Sequence, residues 1–130
     1  MKQLTRLLIG SVCLAVAVGC SKESSTKPAG PKEYQVEYRI SSPSAAKADF
    51  VLYGNESGGR TQLTSVALPA TYSFKRTMKY GDAVNVLASL NTNSATAEIT
   101  AVILLDGQEK KRETGRGVNA QANTVFVIGQ

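Results

Sequence analysis

The sequence contains no histidine and only two cysteines. Without histidine the chain has neither the usual general base of serine and cysteine nucleophiles nor the commonest zinc ligand. Cys13 lies inside an apolar run and Cys20 lies just after that run, so the chain beyond residue 20 cannot form an internal disulfide. A domain of this kind must fold on its apolar core alone. We expect no enzyme, no cofactor and no metal site.

Carboxylates are the remaining catalytic or metal-binding groups. Asp49, Asp82 and Asp106 could form an acid/base pair or a calcium site. Alternatively Asp82 and Asp106 are turn residues, because Asp82 follows Gly81 and Asp106 precedes Gly107. We favour the turn interpretation.

The body of the chain also has almost no net charge. The net charge of the whole sequence is +5, but from Glu33 onward ten Lys and Arg face nine Asp and Glu. Nucleic-acid binding requires a concentrated basic face. No nucleic-acid partner is therefore expected.

The first 19 residues have the pattern of an export signal. Two positive charges in residues 1–6 precede an apolar run of 12 residues at 7–18. A bilayer span needs about 20 residues, whereas a signal peptide's apolar region has about 7 to 15. The following "AVGC", Ala17 to Cys20, resembles the bacterial lipobox, which implies a lipoprotein signal peptide at 1–19 and a lipid-modified Cys20. The alternative is an ordinary secretory signal that happens to contain a cysteine.

Residues 20–33 combine Cys20 with a polar stretch that contains three lysines and two prolines. We interpret this stretch as a flexible tether, with a random-coil span of roughly 20 Å and a maximum reach of about 45 Å. Ser21 is not the aspartate that retains many lipoproteins in the inner membrane. We expect a lipid-anchored protein of the cell envelope, in the outer membrane if the source is Gram-negative.

Residues 34–130 have the pattern of short strands. Apolar and polar residues alternate without error over Tyr34 to Ile40, which predicts a strand with one buried face. Similar segments follow at intervals set by turn signals, of which Asp106-Gly107 is the strongest hairpin signal. Pro69 should lie at an edge or just before a strand. The pattern predicts an all-β antiparallel sandwich of seven or eight strands. Its predicted core includes four residues: Tyr38, Val86, Ile103 and Phe126.

The order of "VEYRI", "VLYGNESGG", "VALP", "YGDAVNVLASLN" and "ILLDGQEKKRETGRG" resembles the MmpS small membrane proteins of mycobacteria and related lipoproteins. The likeness covers most of residues 34–129, and its best marks are Leu68-Pro69, the strand around Val84 and Val86, and Leu105-Asp106-Gly107. It implies an Ig-like sandwich on a membrane anchor, which serves lipid or siderophore export beside an RND-type proton-driven transporter.

Two surface features are candidate binding sites. If Ile103 and its alternate neighbours point inward, Val102 and Leu104 point outward, and Leu87 on the preceding strand has the same orientation. These three residues are a candidate partner face. The alternative is a strand in the middle of a covered sheet, which is apolar on both faces.

The second feature is a set of basic residues that could face anionic lipid headgroups. The alternative is a set of solvated charges that protect an exposed edge strand from pairing. The set comprises Lys75, Arg76, Lys79, Lys110, Lys111, Arg112 and Arg116.

We expect a non-enzymatic, membrane-anchored binding or accessory domain, with a transporter or another envelope protein as its partner. The alternative is a free-standing structural or surface-adhesion lipoprotein.

Overall fold

The computed structural model describes residues 30–130, and its first strand begins at Lys32, two residues before the predicted start of the β domain. Residues 1–29, which include the predicted signal peptide and Cys20, lie outside the described residues. Residues 30–130 contain no helix that could cross a lipid bilayer. The eight strands are β1 (Lys32–Ser41), β2 (Lys47–Gly54), β3 (Arg60–Ala67), β4 (Ala70–Met78), β5 (Ala83–Ser89), β6 (Glu98–Leu105), β7 (Gln108–Arg116) and β8 (Gln121–Val127).

The strands form two antiparallel sheets, which confirms the predicted β-sandwich. Sheet A has the order β4-β1-β6-β7 and sheet B has the order β3-β2-β5-β8. Five connections cross between the sheets, and two of them, β3 to β4 and β7 to β8, join edge strands. Pro69 lies in the β3–β4 connection, directly before β4, as its missing backbone donor predicts.

Strand β1 follows the alternation read from its sequence. Val36, Tyr38 and Ile40 are fully buried, whereas Arg39, between the last two, is exposed. Antiparallel pairing on both sides places β1 between β4 and β6. A strand paired on both sides, with one face against the second sheet, is thereby fixed in register, because a slip of one residue would turn its apolar side chains to the other face.

The core lies between the sheets and contains three of the four residues predicted for it. Tyr38, Val86 and Ile103 have no exposed surface, and Phe126 is half-buried and packs against the core. Strand β6 is buried over seven consecutive residues, from Ile99 to Leu105. This strand is therefore covered on both faces.

The two sides of the sandwich are closed differently. At the β7–β8 side the backbones nearly touch, since a Cβ built on Gly115 would lie 2.1 Å from the carbonyl oxygen of Gln121. At the β3–β4 side aromatic rings lie between the sheets. Tyr38 lies 5.5 Å from Tyr53 and 5.8 Å from Phe74 between ring centroids.

The sandwich has two distinct ends. The entry end is where the described chain begins, and it contains Gly30, the turn 79–82, the Asp106-Gly107 turn and residues 128–130. The far end contains the connections 42–46, 90–97 and 117–120, where the amide of Thr92 donates to the carbonyl of Val118.

The Asp106-Gly107 turn joins β6 to β7 at the entry end, as predicted. Both residues have positive φ angles, 51° and 79°, as a type I′ hairpin requires. The backbone amide of Gln35 donates to the Asp106 carboxylate at 2.9 Å and Lys32 pairs with it at 3.2 Å. These contacts, the Gln35 hydrogen bond first, lower the pKa of Asp106.

We expect Asp106→Ala to lower the urea midpoint of unfolding more than Asp106→Asn does, because asparagine tolerates the positive φ and retains an acceptor for the Gln35 amide. The folded-state pKa of Asp106 is depressed, so its stabilising effect is present above the unfolded-state pKa and is lost as the pH falls through the folded-state pKa. Urea titrations from pH 7 to pH 2 measure both effects. Equal midpoints for both variants and the wild-type protein would contradict this assignment.

Candidate functional site

Val102 and Leu104 point away from the core on sheet A but are not open to solvent. Their exposed fractions are 5% and 4%. In the strand register, Arg39 of β1 and Arg112 of β7 lie directly beside Val102. Directly opposed residues on neighbouring strands project from the same face of a sheet. The aliphatic parts of these long side chains can therefore cover the apolar residues while the charged groups stay in water.

Leu104 also lies between two charged residues, which are acidic where those beside Val102 are basic. Glu37 of β1 and Glu109 of β7 lie directly beside it. Glu37 pairs with Arg39, and Glu109 accepts two hydrogen bonds from Arg112 at 2.8 and 2.9 Å. The Arg112 hydrogen bond lowers the pKa of Glu109. We call this surface, composed of Val102, Leu104 and the two ion pairs, the charged face.

Leu87 does not lie on the charged face, which corrects the expectation that the three residues share one surface. Leu87 is in β5, a strand of sheet B, and Val84, Val86 and Ala88 of the same strand are buried. Leu87 therefore projects from the outer face of sheet B, on the opposite side of the sandwich. The orientation of each side chain relative to its own strand was predicted correctly, but the strands belong to different sheets.

The outer face of sheet B contains a shallow depression of about 390 Å³. Leu52 of β2 is the cross-strand neighbour of Leu87, and Asn123 of β8 is its neighbour on the other side. Val125 is 47% exposed, which makes it one of the few large apolar residues in residues 30–130 that are open to solvent. We call this surface the neutral face; its lining residues are Leu52, Arg60, Ala83, Asn85, Leu87, Asn123 and Val125.

The two sheets differ sharply in charge. The strands of sheet B contain only three charged residues, Lys47, Asp49 and Arg60, whereas β7 alone contains six. Strands β5 and β8, which form half of sheet B, contain none. The polar side chains of the neutral face are the amides of Asn85 and Asn123 and the guanidinium of Arg60. Charged groups are depleted at the centres of protein interfaces, so the neutral face has the composition of a binding surface.

The predicted basic set is divided between the two edges of sheet A. Lys75 and Arg76 are in β4 and Lys79 directly follows it, whereas the other four residues are in β7. Strands β4 and β7 are separated by three strand spacings, or about 14 Å. One continuous patch of all seven residues is therefore not formed.

Most of these basic residues also have partners within the domain. Lys75 lies 3.8 Å from Glu33, and Arg116 lies 3.0 Å from Glu98. Arg76 donates to the carbonyl of Ala83 at 3.3 Å. Charges along exposed edges hinder pairing with strands of other molecules. Both edge strands of sheet A, β4 and β7, contain such charges.

The three aspartates considered as a chemical site are in separate places and bond to the backbone. The amide of Asn91 donates to Asp49 at 2.7 Å, and the amide of Lys79 donates to Asp82 at 3.0 Å. Asp106 holds the hairpin described above. Within residues 30–130, no three acidic or cysteine side chains are grouped so that they could hold a metal ion.

A second depression, of about 210 Å³, lies at the entry end and was not predicted. Met78 and Ile128 are buried beneath it, and Tyr80 is 55% exposed. Lys32 is 4.7 Å from the ring centroid of Tyr34. No periodic pattern could reveal this site, since it combines residues from both ends of the described chain. Its lining residues are Gly30, Lys32, Tyr34, Met78, Lys79, Tyr80, Ile128 and Gly129.

A scan of the chain against protein-family models finds no match, and a search of curated proteins also finds none. The MmpS resemblance therefore stays an expectation from the sequence. Cys20, the predicted lipidation site, lies outside the described residues.

Proposed function

We propose that the protein is a lipid-anchored, non-enzymatic binding module of the cell envelope, which docks another envelope protein through its neutral face. One observation carries the docking part of the proposal. An apolar, almost charge-free surface covers one side of a domain whose other side is densely charged. Solvated charges keep the charged face in water, whereas the neutral face loses little hydration when it is covered.

The partner should present a surface of the same kind. Because Leu52, Leu87 and Val125 offer apolar contact and Asn85 and Asn123 offer amide hydrogen bonds, an uncharged and partly apolar protein surface would complement them. A nucleic acid or a strongly acidic protein would not. The MmpS resemblance makes a component of an RND-type exporter of lipids or siderophores the first partner to examine, and it implies that the sandwich is Ig-like.

The anchoring part of the proposal comes from the sequence. A cysteine in a lipobox-like context, followed by a polar stretch, would hold the domain close to a bilayer. A module restricted to this layer meets its partner at a high local concentration, so even a modest interface suffices.

We expect Leu87→Glu and Val125→Glu to lower crosslinking of the partner in the native envelope at least about tenfold, because an unpaired charge buried in an interface costs about 2–5 kcal/mol. Thr71→Glu is the matched control, since Thr71 is exposed on the outer face of sheet A. Membrane flotation of wild type and Cys20→Ser tests the anchor, and the variant should leave the membrane fraction or accumulate as the precursor.

Several results would contradict the proposal. Capture that is equal in the three Glu variants would exclude docking through the neutral face. If wild-type protein captures no envelope protein, the alternative of a free-standing structural or adhesion lipoprotein is favoured. If Cys20→Ser is processed and floats like wild type, the lipid anchor is wrong.

A further inference from the structure

The depression at the entry end brings together two aromatic rings, two amines and an apolar floor. Met78 and Ile128 form the floor, and Tyr80 lies at the surface with its ring against Gly129. A Cβ at Gly129 would lie 2.3 Å from the ring of Tyr80, so only glycine permits this packing. The exposed aromatic side chain is thus held in place by the backbone beneath it.

The charges around this depression favour an anionic ligand. Among the described residues, Lys79 takes part in no ion pair, and Lys32 is shared between Asp106 and the face of Tyr34. The nearby carboxylates of Asp82 and Asp106 accept hydrogen bonds from backbone amides and do not line the depression, whereas both lysines do. Tyrosine and lysine are also the side chains that suit the boundary between headgroups and acyl chains, because each has an apolar body and a polar end.

The position of the depression relative to Cys20 identifies the source of such a ligand. Gly30, which lines the depression, is ten residues after Cys20. A chain of this length spans about 18 Å as a random coil and at most about 35 Å when extended. The far end lies one strand length beyond, about 30 Å farther from the anchor for a strand such as β1. The entry end is therefore the part of the domain nearest the bilayer.

We propose that the entry end, with Tyr34, Tyr80, Lys32 and Lys79, rests on anionic phospholipid headgroups of the bilayer that holds Cys20. This inference rests on the proposed lipid anchor and adds a second contact to it. It also gives the domain a fixed orientation, in which the strands stand on the membrane and the neutral face is directed sideways toward a neighbouring envelope protein.

The absence of tryptophan from the chain makes the contact directly measurable. Tyr80→Trp places a single fluorophore at the entry end, and Val118→Trp places one at the far end, where Val118 is similarly exposed. The mature lipidated chain is reconstituted into phosphatidylglycerol vesicles that contain a lipid with a nitroxide on its headgroup. We expect the fluorescence of Tyr80→Trp to be quenched and blue-shifted and that of Val118→Trp to be unaffected.

The role of charge is tested in the same vesicles. Lys79→Glu in the Tyr80→Trp background should lower the equilibrium constant of the contact, obtained from the quenched fraction, at least about fivefold, since one lysine near an anionic surface contributes about 1 kcal/mol. Lys47→Glu is the matched control, with the same charge change at the far end. Replacement of phosphatidylglycerol by phosphatidylcholine should have an effect like that of Lys79→Glu.

Equal quenching of Tyr80→Trp and Val118→Trp, in protein that floats with the vesicles, would overturn the proposed contact and leave the anchor intact. Equal effects of Lys79→Glu and Lys47→Glu would also overturn it. If the wild-type chain does not float with the vesicles, both the anchor and the contact are wrong.

Discussion

Gly115→Ala should be the most destabilising single substitution among the described glycines, with a loss of about 3 kcal/mol or more in the free energy of unfolding. The new Cβ would lie 2.1 Å from the carbonyl oxygen of Gln121 and 2.5 Å from its amide nitrogen. These are backbone atoms, so no rotamer change can relieve the overlap. Strands β7 and β8 would have to separate, and the crossing between the sheets would be strained.

Glycine-to-alanine substitutions at two other positions serve as controls, because a Cβ there would meet no other atom. Gly117, directly after β7, has a φ of 104° with no atom near its Cβ position, so Gly117→Ala measures only the cost of a left-handed backbone, about 1–2 kcal/mol. Gly30 has free space and no positive φ, and Gly30→Ala should be neutral. Chemical denaturation gives the three values. A loss for Gly115→Ala no larger than that for Gly117→Ala would show that the strands can separate freely.

Tyr38→Ala should cost about 3–5 kcal/mol, because it removes a fully buried aromatic ring from the centre of the core. Tyr38→Phe should cost about 1–3 kcal/mol. The Tyr38 hydroxyl donates a 2.8 Å hydrogen bond to the carbonyl of Gly54, from sheet A to sheet B, and phenylalanine would leave that carbonyl without this donor. Urea titration at neutral pH measures both, and equal stability of Tyr38→Phe and wild type would contradict this role of the hydroxyl.

We also expect Tyr38 to cause a loss of stability in alkaline solution. Burial raises the pKa of Tyr38 from its ordinary value of 10.0 to about 12. Its stabilising effect is therefore fully present below pH 10, where the unfolded chain begins to ionise, and is lost as the pH rises through about 12. Tyr38→Phe lacks this contribution, so its stability should fall less steeply between these two pH values. Parallel profiles for the two proteins would contradict the shift.

The fold follows from the sequence because its signals are local. Alternation over β1 fixes which residues are buried, and Asp106-Gly107 fixes a hairpin, since each depends on neighbouring residues alone. The two candidate surfaces depend on strand order, which periodicity does not contain. Leu87 and Val102 have the same orientation relative to their strands, but one belongs to sheet B and the other to sheet A.

The burial of Val102 and Leu104 could not be predicted for a related reason. Their covering residues come from β1, far earlier in the chain, and from β7, across a register shift between Ile103 and Leu104. The basic set was likewise divided because β4 and β7, each charged, occupy opposite edges. The depression at the entry end combines residues from three separate parts of the chain, so no local sequence pattern could reveal it.

The burial of β6 on both faces has a consequence for the solubility of the protein. "ITAVILL", Ile99 to Leu105, combines high β propensity with no charge and no proline, which is the composition of a segment that forms fibrils when it is unprotected. The ion pairs Glu37–Arg39 of β1 and Glu109–Arg112 of β7 place charges beside this segment on the outer face of sheet A. Because β7 is an edge strand, we expect its local fraying to uncover this segment without global unfolding. Aggregation from a nearly native state would then compete with refolding.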